Sequence, residues 1–371
     1  MEPSFSPLAE ALDLGPSPYS PWLGESAVRL GGATTFRAAA RLLTHFTGVT
    51  MSAATVRRLT EAAGTTLRQL ELAFTETVRE TGAVPAPPPD VPLQLSIDGC
   101  LVHLRDEGWR EVKVLAVGER AADAGLTALS YAATLGTAAA FGDEALGELG
   151  RRGVPQATDL VTVNDGAVWI QELLDLHCPQ AHRVLDFAHA AEYLATAAKA
   201  TWPDEPTARA WFTTQRHALL TGDPDQVLAA LGGLPEGEAR DTALGYLTSR
   251  RAQIAYRDFT ARGWPIGSGC VESAHQHVVQ DRRKGRGMRW SRPGADALLA
   301  VRVVAANERW DETWDQVGPA QRAAARGRTA QRRHVRIAPS PRPKQVVAGK
   351  PVASHCWRRF RLPGSPRFTA P

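Results

Sequence analysis

Hydrophobic residues recur every three or four positions in the first part of the chain, which predicts amphipathic helices. Phe36, Ala40 and Leu43 share one face of the first helix. Gly48 breaks this pattern, and Ser52 is suited to cap the helix that follows. The spacing predicts helices over 36–47, 53–64 and 65–82.

The first two helices are joined by a short turn that contains glycine, an arrangement similar to a helix-turn-helix. The second helix carries Arg57 and Arg58 outside its apolar face, where guanidinium groups can contact DNA phosphates. We therefore interpret residues 1–84 as a helical, helix-turn-helix-like DNA-binding region, with a plain helical hairpin as the alternative.

A proline-rich stretch, 85–92, precedes a part of the chain with strand periodicity. Its five prolines predict a stiff linker and a domain boundary. Beyond it apolar and polar residues alternate, and strands then interchange with helices, which is typical of a mixed α/β sheet. The predicted strands cover 93–98, 112–117, 129–135, 159–163 and 183–186, and the predicted helices between them cover 138–150 and 167–177.

Residues 187–261 contain helical patterns only, so we expect an all-helical insertion over 190–261. A glycine-containing loop, 263–269, follows it. Helices are predicted from the end of this loop to about 281 and again over 293–315.

Residues 316–371 lack sustained periodicity, which predicts an extended or disordered tail. This tail is basic, because 321–371 contain 13 Lys and Arg and no acid. The preceding 320 residues then contain 30 basic and 39 acidic residues, so the body of the protein is mildly acidic.

The composition is that of a soluble protein of two or three domains. The 371 residues are 43% hydrophobic, and no apolar run is long enough to cross a membrane. The first residues lack the basic-then-apolar order of a signal peptide. The four cysteines form no Cys-x-x-Cys pair, so neither a disulfide scaffold nor a cysteine zinc site is expected. We expect a cytoplasmic protein.

Two aspartates stand at the ends of apolar strand patterns. Asp98 ends the first predicted strand, Asp165 follows the fourth, and each is followed by a glycine. Glycine lets the backbone turn tightly beside the carboxylate and leaves room for a ligand. The alternative is an aspartate that simply caps the next turn or helix.

Glu272 adds a third acid near the start of the helix that follows the glycine-containing loop. Two strand-end aspartates and a helical glutamate supply the hard oxygen ligands that two Mg²⁺ ions require, and Mn²⁺ can replace Mg²⁺. Such a metal pair activates a water or a 3′-hydroxyl and stabilises the leaving oxygen of a phosphodiester. The chain has no P-loop and no nucleophile elbow, which agrees with chemistry that needs no covalent intermediate.

A basic run follows Glu272 and points to nucleic acid as the substrate. Six of the eleven residues from 282 to 292 are cationic, and Trp290 lies among them. Such a run suits phosphate contacts, with the tryptophan as a stacking platform, although a solvated loop has the same composition. The predicted DNA contacts in this run are Arg282, Arg283, Lys284, Arg286, Arg289 and Trp290.

Asp186 and His189 form an Asp-x-x-His element at the start of the helix after the last predicted strand. His189 can bind a phosphate or orient a carboxylate, and a purely structural histidine is the alternative. Together with Glu272-x-x-His275 this element also fits a di-iron carboxylate bundle. Such a bundle, however, requires further helical glutamates and has no use for the strand-end aspartates.

Several segments between residues 93 and 314, in this order, resemble the ISKra group of bacterial insertion-sequence transposases. The helical stretch TTFRAAARLLTHFTGVTMSAATVRRLTEAAG is also similar to the region that precedes the catalytic core in these proteins. The matching core segments are LSIDGCLVHLRDEGWREVKVLAVGE, VNDGAVWIQELL, VLDFAHAAEYL, GWPIGSGCVESAHQHVVQDRRKGRGMRWS and ALLAVRVVAANERWDETW.

The resemblance implies an RNase H-like catalytic fold of the DDE type, with Asp98, Asp165 and Glu272 as the catalytic and metal-binding residues. It also implies that Asp186 and His189 are accessory residues, matching the Asp-x-x-His element of related transposases with a helical insertion. The implied catalytic core consists of 93–189 and 262–315.

The activity implied by the resemblance is Mg²⁺-dependent cutting of transposon ends and joining of their 3′-hydroxyls to target DNA. The implied partners are double-stranded DNA, as inverted-repeat ends and as target, and further copies of the chain. A dimer or a higher synaptic complex is expected because two ends must be cut together. A nucleoid-associated location in the cytoplasm follows from these partners.

Two alternatives to an active transposase stay open. An inactive or domesticated transposase would bind DNA without cutting it, and an RNase H-like nuclease would hydrolyse DNA without strand transfer. The tail, 316–371, is unlike the core in composition and is either a DNA-binding arm or the product of frame disruption in a decayed element.

Overall fold

The fold is seen in a computed structural model that describes residues 19–82, 85–121, 125–283, 285 and 288–337. The described residues up to Arg322 belong to one compact unit, and a second unit begins at Ala323. The architecture is mixed α/β with one five-stranded mixed sheet, so the predicted fold class is confirmed at this level. None of the described helices has both the length and the apolar character needed to cross a membrane.

Three helices open the described chain, and each begins at a capping side chain. The hydroxyls of Ser20, Thr35 and Ser52 accept a hydrogen bond from the first turn of the helix they precede. The first helix is missing from the sequence-based prediction, because small residues make up most of its buried face. Helices α1, α2 and α3 span Pro21–Ala33, Phe36–Thr47 and Ala53–Thr81.

Helix α3 is continuous over 29 residues, so the predicted break between 53–64 and 65–82 is wrong. Gly64 does not end the helix. It permits close approach to α13 (Arg292–Ala306), since a Cβ atom at Gly64 would collide with the carbonyl of Ala297. Contact between two helices therefore outweighs the weak helix propensity of glycine.

The sheet combines an antiparallel meander with two parallel strands. Its strands β1 to β5 span Leu93–Leu104, Gly108–Arg120, Leu126–Thr134, Leu160–Asn164 and His182–Leu185. Their order is β3-β2-β1-β4-β5. The β1–β2 and β2–β3 pairs are antiparallel, whereas β4 runs parallel to both β1 and β5. The β1–β2 hairpin extends past the predicted strand ends.

Helices cover both faces of the sheet. Helices α4 and α5, which span Ala138–Arg151 and Val168–His177, pack on one face with Leu95 and Ile97. The other face packs against α13 and the helix that carries Glu272. The C-terminal ends of β4 and β5 lie between these two helix layers.

The segment between β5 and the Glu272 helix contains helices only, as the sequence pattern predicts. These helices share a core that includes Leu194 and Tyr256 and that continues into β4 through Val161 and Val163. Helices α6 to α10 span Phe187–Thr201, Glu205–Thr221, Pro224–Gly232, Glu238–Ser249 and Tyr256–Ala261.

The last helices differ from the prediction in two ways. The predicted helix over 293–315 is interrupted after α13, where Glu308 adopts a φ of +55°. Helix α14 (Trp310–Ile337) then continues through 316–337, so the predicted extended tail is wrong for those residues. The rest of the tail, 338–371, lies outside the described residues.

The proline-rich stretch, 85–92, does not separate two domains as predicted. Ala86 N donates a hydrogen bond to the carbonyl of Gly150 at 3.3 Å, and the backbone of Pro87 packs against Gly153. The stretch is therefore held against the C-terminal end of α4. Helix α3 packs on α4 and α13, so the N-terminal helices and the sheet share one compact unit.

The close contact at Gly64 predicts opposite effects of Gly→Ala in two helices. Gly64→Ala should lower the free energy of unfolding by about 1–3 kcal/mol, because the added methyl forces α3 away from α13. Gly245→Ala is the matched control in α9, where a Cβ atom meets nothing within 4 Å. It should stabilise by about 0.5–1 kcal/mol. Denaturant unfolding followed by circular dichroism measures both, and equal effects would contradict the helix contact.

Candidate active site

Parallel pairing of β1 and β4 brings two aspartates to neighbouring positions. Leu95 of β1 pairs with Thr162 of β4. Asp98 stands three residues further along β1, and Asp165 stands three residues further along the chain, directly after the last residue of β4. The charge of Asp165 contributes to raising the pKa of the Asp98 carboxyl, so the two carboxylates lie near each other.

Asp98 does not end its own strand, contrary to the prediction. β1 continues to Leu104, still paired with β2 but no longer with β4. What ends beside Asp98 is the neighbouring strand β4, whose last residue, Asn164, extends the pairing through its side chain. Asn164 Oδ1 accepts a hydrogen bond from Ile97 N at 2.6 Å. Asp98 therefore lies just past the last contact between β1 and β4.

The charge of Asp98 is only partly compensated. Burial raises the pKa of this carboxyl from 3.8 to about 6, and the charges of Asp165 and Glu111 contribute to the rise. The N–H of Gly99, 2.6 Å from Oδ1, and the charge of His189 act in the opposite direction. A cation beside Asp98 would therefore stabilise its ionised form.

Asp165 lies in a tight turn between β4 and α5. Gly166 in this turn adopts a φ of +76°, in the left-handed region that favours glycine. Asp165 Oδ1 accepts a hydrogen bond from Ala167 N at 2.9 Å, and the Tyr246 hydroxyl donates to the Asp165 carbonyl. Burial raises the pKa of Tyr246 to about 12, so this hydroxyl remains a donor at neutral pH.

Glu272 is exposed and lies on α11 (Gly269–Ala274), the short helix after the glycine-containing loop. A π-helical turn, His275–Gln280, follows directly, and such turns are frequent at functional sites. A three-residue turn, α12 (Asp281–Arg283), completes this helical segment. Nδ1 of His275 lies 3.8 Å from Asp98 Oδ2, so the segment that carries Glu272 packs beside the strand that carries Asp98.

A cleft of about 140 Å³ collects the acidic side chains. Its polar lining consists of Asp98, Asp165, Asp186, His189, Glu192, Ser268 and Glu272. All three predicted catalytic carboxylates therefore face one space. In the described part of the chain, no group of three or more His, Cys, Asp or Glu side chains is arranged to hold a metal ion by itself.

Asp186 is buried and ties two segments of the chain together. Its Oδ1 caps α6 by accepting a hydrogen bond from His189 N at 2.9 Å. Its Oδ2 accepts two hydrogen bonds from Ser268, from the backbone N at 2.8 Å and from the hydroxyl at 3.0 Å. Since Ser268 directly precedes α11, the role of Asp186 is to position the Glu272 helix. Both oxygens accept hydrogen bonds from within the protein, which agrees with a structural role for this carboxylate.

Arg282 and Arg283 are buried, so the prediction that they contact DNA is wrong for this fold. Arg282 lies between the rings of Phe36 and Trp290, with Cζ 4.5 and 5.2 Å from their centroids, and its Nε donates to the carbonyl of Gly31. Arg283 donates to a backbone carbonyl of α13. Burial lowers the pKa of both groups to about 10, so both stay charged at neutral pH.

Trp290 is only 8% exposed, so its predicted role as a stacking platform for a base is also wrong. Its carbonyl accepts a hydrogen bond from Arg105 N at 2.8 Å, and its backbone bridges to Leu104 at the end of β1. Its ring packs edge-on against Phe36. Trp290 thus joins the sheet to the N-terminal helices.

The remaining predicted DNA contacts have different positions. Arg57, Arg58 and Arg289 are exposed, and for them DNA contact stays a prediction. Lys284 and Arg286 lie outside the described residues.

Three residues at or around the cleft escaped the sequence-based prediction: Glu192, Tyr246 and Arg250. Glu192 lies one turn after His189 on α6, so helical spacing alone could have indicated it. Tyr246 and Arg250 lie 81 and 84 residues away from the turn that they contact. No local pattern points to contacts over such separations.

A scan against protein-family models returned no matching family, and a search of curated proteins returned no similar protein.

The hydrogen bonds of Asp186 predict that its removal costs more stability than the removal of an ordinary helix cap. Asp186→Ala should lower the free energy of unfolding by about 2–4 kcal/mol, because three hydrogen bonds to a buried carboxylate are lost. Asp204→Ala is the control, since Asp204 caps α7 in the same way but is exposed. Its effect should be clearly smaller. Equal losses of stability in the two variants, measured by urea unfolding, would contradict the proposed link between α6 and the loop before α11.

The raised pKa of Asp98 predicts that neutralising it stabilises the metal-free protein. Ionisation of Asp98 costs stability as the pH rises above 3.8, and the cost is complete above about pH 6. At pH 7 in EDTA, Asp98→Asn should therefore raise the free energy of unfolding, measured by denaturant unfolding, by about 1 kcal/mol. The gain is limited to this size because solvent screens the charge of the partly exposed carboxyl. The gain should shrink towards pH 4. A variant less stable than wild type at pH 7 would contradict this.

Proposed function

We propose that this protein is a DDE-type transposase of a bacterial insertion sequence, similar to the ISKra group. Its reaction is metal-dependent cleavage of DNA at transposon ends, followed by transfer of the 3′-hydroxyl to target DNA. The observation that carries the proposal is that Asp98, Asp165 and Glu272 line one cleft. These residues are separated by 66 and 106 residues along the chain, so no local requirement brings them together.

We propose further that the core is RNase H-like. The support is the sheet, in which a three-stranded antiparallel meander is extended by two parallel strands through helical crossovers. The first aspartate is on the central strand and the second follows the strand beside it. The glutamate then comes from a helix on the face opposite α4 and α5, after an all-helical insertion.

The donor set of the cleft fits divalent metal ions. Mg²⁺ is commonly held by one or two carboxylates and completes its coordination with water and substrate phosphates, so a closed protein cage is not required. Asp98, whose pKa is raised by burial and by Asp165, is a carboxylate that a cation would stabilise. Asp98 and Asp165 would hold two Mg²⁺ ions, replaceable by Mn²⁺, with Glu272 completing the coordination. Bound metal of this kind activates the attacking oxygen and stabilises the leaving oxygen.

Other residues of the chain would bind and orient the DNA. His189 is half-buried on the wall of the cleft and can donate a hydrogen bond to a phosphate oxygen. Arg57, Arg58 and Arg289 are exposed and suited to contact the DNA backbone. Because two transposon ends must be cut together, the working form would be a dimer or a higher synaptic complex on double-stranded DNA.

Glu272→Gln should abolish cleavage and leave DNA binding largely unchanged. Loss of one metal ligand should lower the cleavage rate at least about 100-fold. One carboxylate changes the electrostatic attraction to DNA much less. The measurement is cleavage and joining of a DNA duplex that contains the ends flanking the gene, with Mg²⁺ or Mn²⁺. Glu76→Gln, an exposed glutamate on α3, is the control and should cut like wild type.

The products of the same assay separate the alternatives. Metal-dependent cutting with joining supports the transposase. Cutting without joining indicates an RNase H-like nuclease, and binding without cutting in wild type indicates an inactive or domesticated transposase. Full activity of Glu272→Gln would contradict the assignment of the site itself.

A further inference from the structure

The helical insertion contacts the active-site turn directly. In α9 the Tyr246 hydroxyl donates a hydrogen bond to the carbonyl of Asp165. Arg250, which directly follows α9, donates from Nη2 to the carbonyl of Gly166 at 2.7 Å. Two successive carbonyls of the turn are thus held from one short segment of the insertion.

We propose that Tyr246 and Arg250 are positioning residues that set the orientation of the Asp165 carboxylate for metal binding. This inference rests on the proposed function, because it assigns Asp165 to the metal site. It gives the insertion a specific task in the reaction, namely to hold the second aspartate.

The turn needs such support because the sheet ends just before it. The last pair between β4 and β5 is Asn164 with Leu185, so Asp165 and Gly166 have no partner strand at that edge. The only hydrogen bond to the Asp165 carboxylate among the described residues comes from Ala167 N, within the same turn. The orientation of the carboxylate therefore depends on how firmly the turn itself is held.

The fit between the turn and the insertion is close. A Cβ atom at Gly166 would lie 2.7 Å from the Tyr246 hydroxyl oxygen and 2.7 Å from Arg250 Nε. Leu185 Cδ1 would lie 3.0 Å away on the remaining side. The turn is thus enclosed by Tyr246, Arg250 and β5, and a shift of the two insertion residues changes the space around Asp165.

Tyr246 and Arg250 are themselves held in place. Arg250 Cζ lies 3.9 Å from the centroid of the Tyr246 ring, and its Nη1 donates to the Ser249 hydroxyl at 2.9 Å. On the same ring stacks Tyr193 of α6, with centroids 4.0 Å apart and planes at 15°. Packed aromatic and guanidinium planes restrict side-chain rotation, so the two donors keep their direction toward the turn.

Two single-atom deletions on stacked tyrosines test the proposal. Tyr246→Phe removes the hydroxyl that holds Asp165, whereas Tyr193→Phe removes a hydroxyl that makes no described hydrogen bond and keeps the stack. The readouts are Mn²⁺ binding to the full-length protein by calorimetry, and the Mn²⁺ concentration that gives half-maximal cleavage. Partners that orient a metal ligand typically change metal affinity or activity about 10–100-fold.

We expect Tyr246→Phe to need about 10-fold more Mn²⁺, with cleavage restored by excess Mn²⁺ and with unchanged affinity for DNA. Tyr193→Phe should resemble wild type. Arg250→Lys, which keeps the charge but loses the planar contact, should show the same defect as Tyr246→Phe. A merely structural role would lower the unfolding midpoint without changing the Mn²⁺ requirement.

The outcomes distinguish failure of this inference from failure of the proposed function. If wild type binds Mn²⁺ and cuts DNA but Tyr246→Phe does the same at the same Mn²⁺ concentration, the inference is wrong and the proposed function stands. Equal defects in Tyr246→Phe and Tyr193→Phe would also overturn it, since the stack rather than the hydroxyl would then matter. If wild type neither binds Mn²⁺ nor cuts, the proposed function fails and the inference with it.

Discussion

The parallel pairing of β1 with β4 is the contact on which the candidate site depends. It places Asp98 of the central strand beside the end of β4, which Asp165 directly follows. Burial raises the pKa of Asp98, and repulsion by the Asp165 carboxylate adds to the rise. An ionised Asp98 in such a place lowers the stability of the fold, as is common at sites that folding alone would not favour.

Polar contacts from distant parts of the chain fix the Asp165 turn and the helix that carries the third acid, Glu272. Asp186 fastens the loop before α11 to the start of α6, which sets the origin of the Glu272 helix. Tyr246 and Arg250 fasten the Asp165 turn to the insertion. Hydrogen bonds are directional, so these contacts define orientation where apolar packing defines only proximity. The insertion is thereby part of the site rather than an appendage to it.

The basic run after Glu272 shows that charged residues in a sequence need not lie on the protein surface. Arg282 and Arg283 are buried and donate to backbone carbonyls. Arg282 meets the last turn of α1 at Gly31, where carbonyls of a helix end favour a cation. Arg282 joins the Glu272 segment to the N-terminal helices, with Phe36 and Trp290 covering its guanidinium, whereas Arg283 joins the segment to α13.

The sequence by itself determined the features that depend on neighbours along the chain. Alternation predicted the mixed sheet, helical spacing predicted the insertion, and the glycine after Asp165 predicted a carboxylate beside a tight turn. The same reasoning was wrong for Asp98, because β1 continues through Gly99. The tertiary structure alone decided the rest: the continuity of α3 through Gly64, the packing of the proline-rich stretch, the burial of Arg282 and the contacts from Tyr246. Each of these depends on residues that are far apart in sequence, and periodicity and local propensity carry no information about which distant segments will meet.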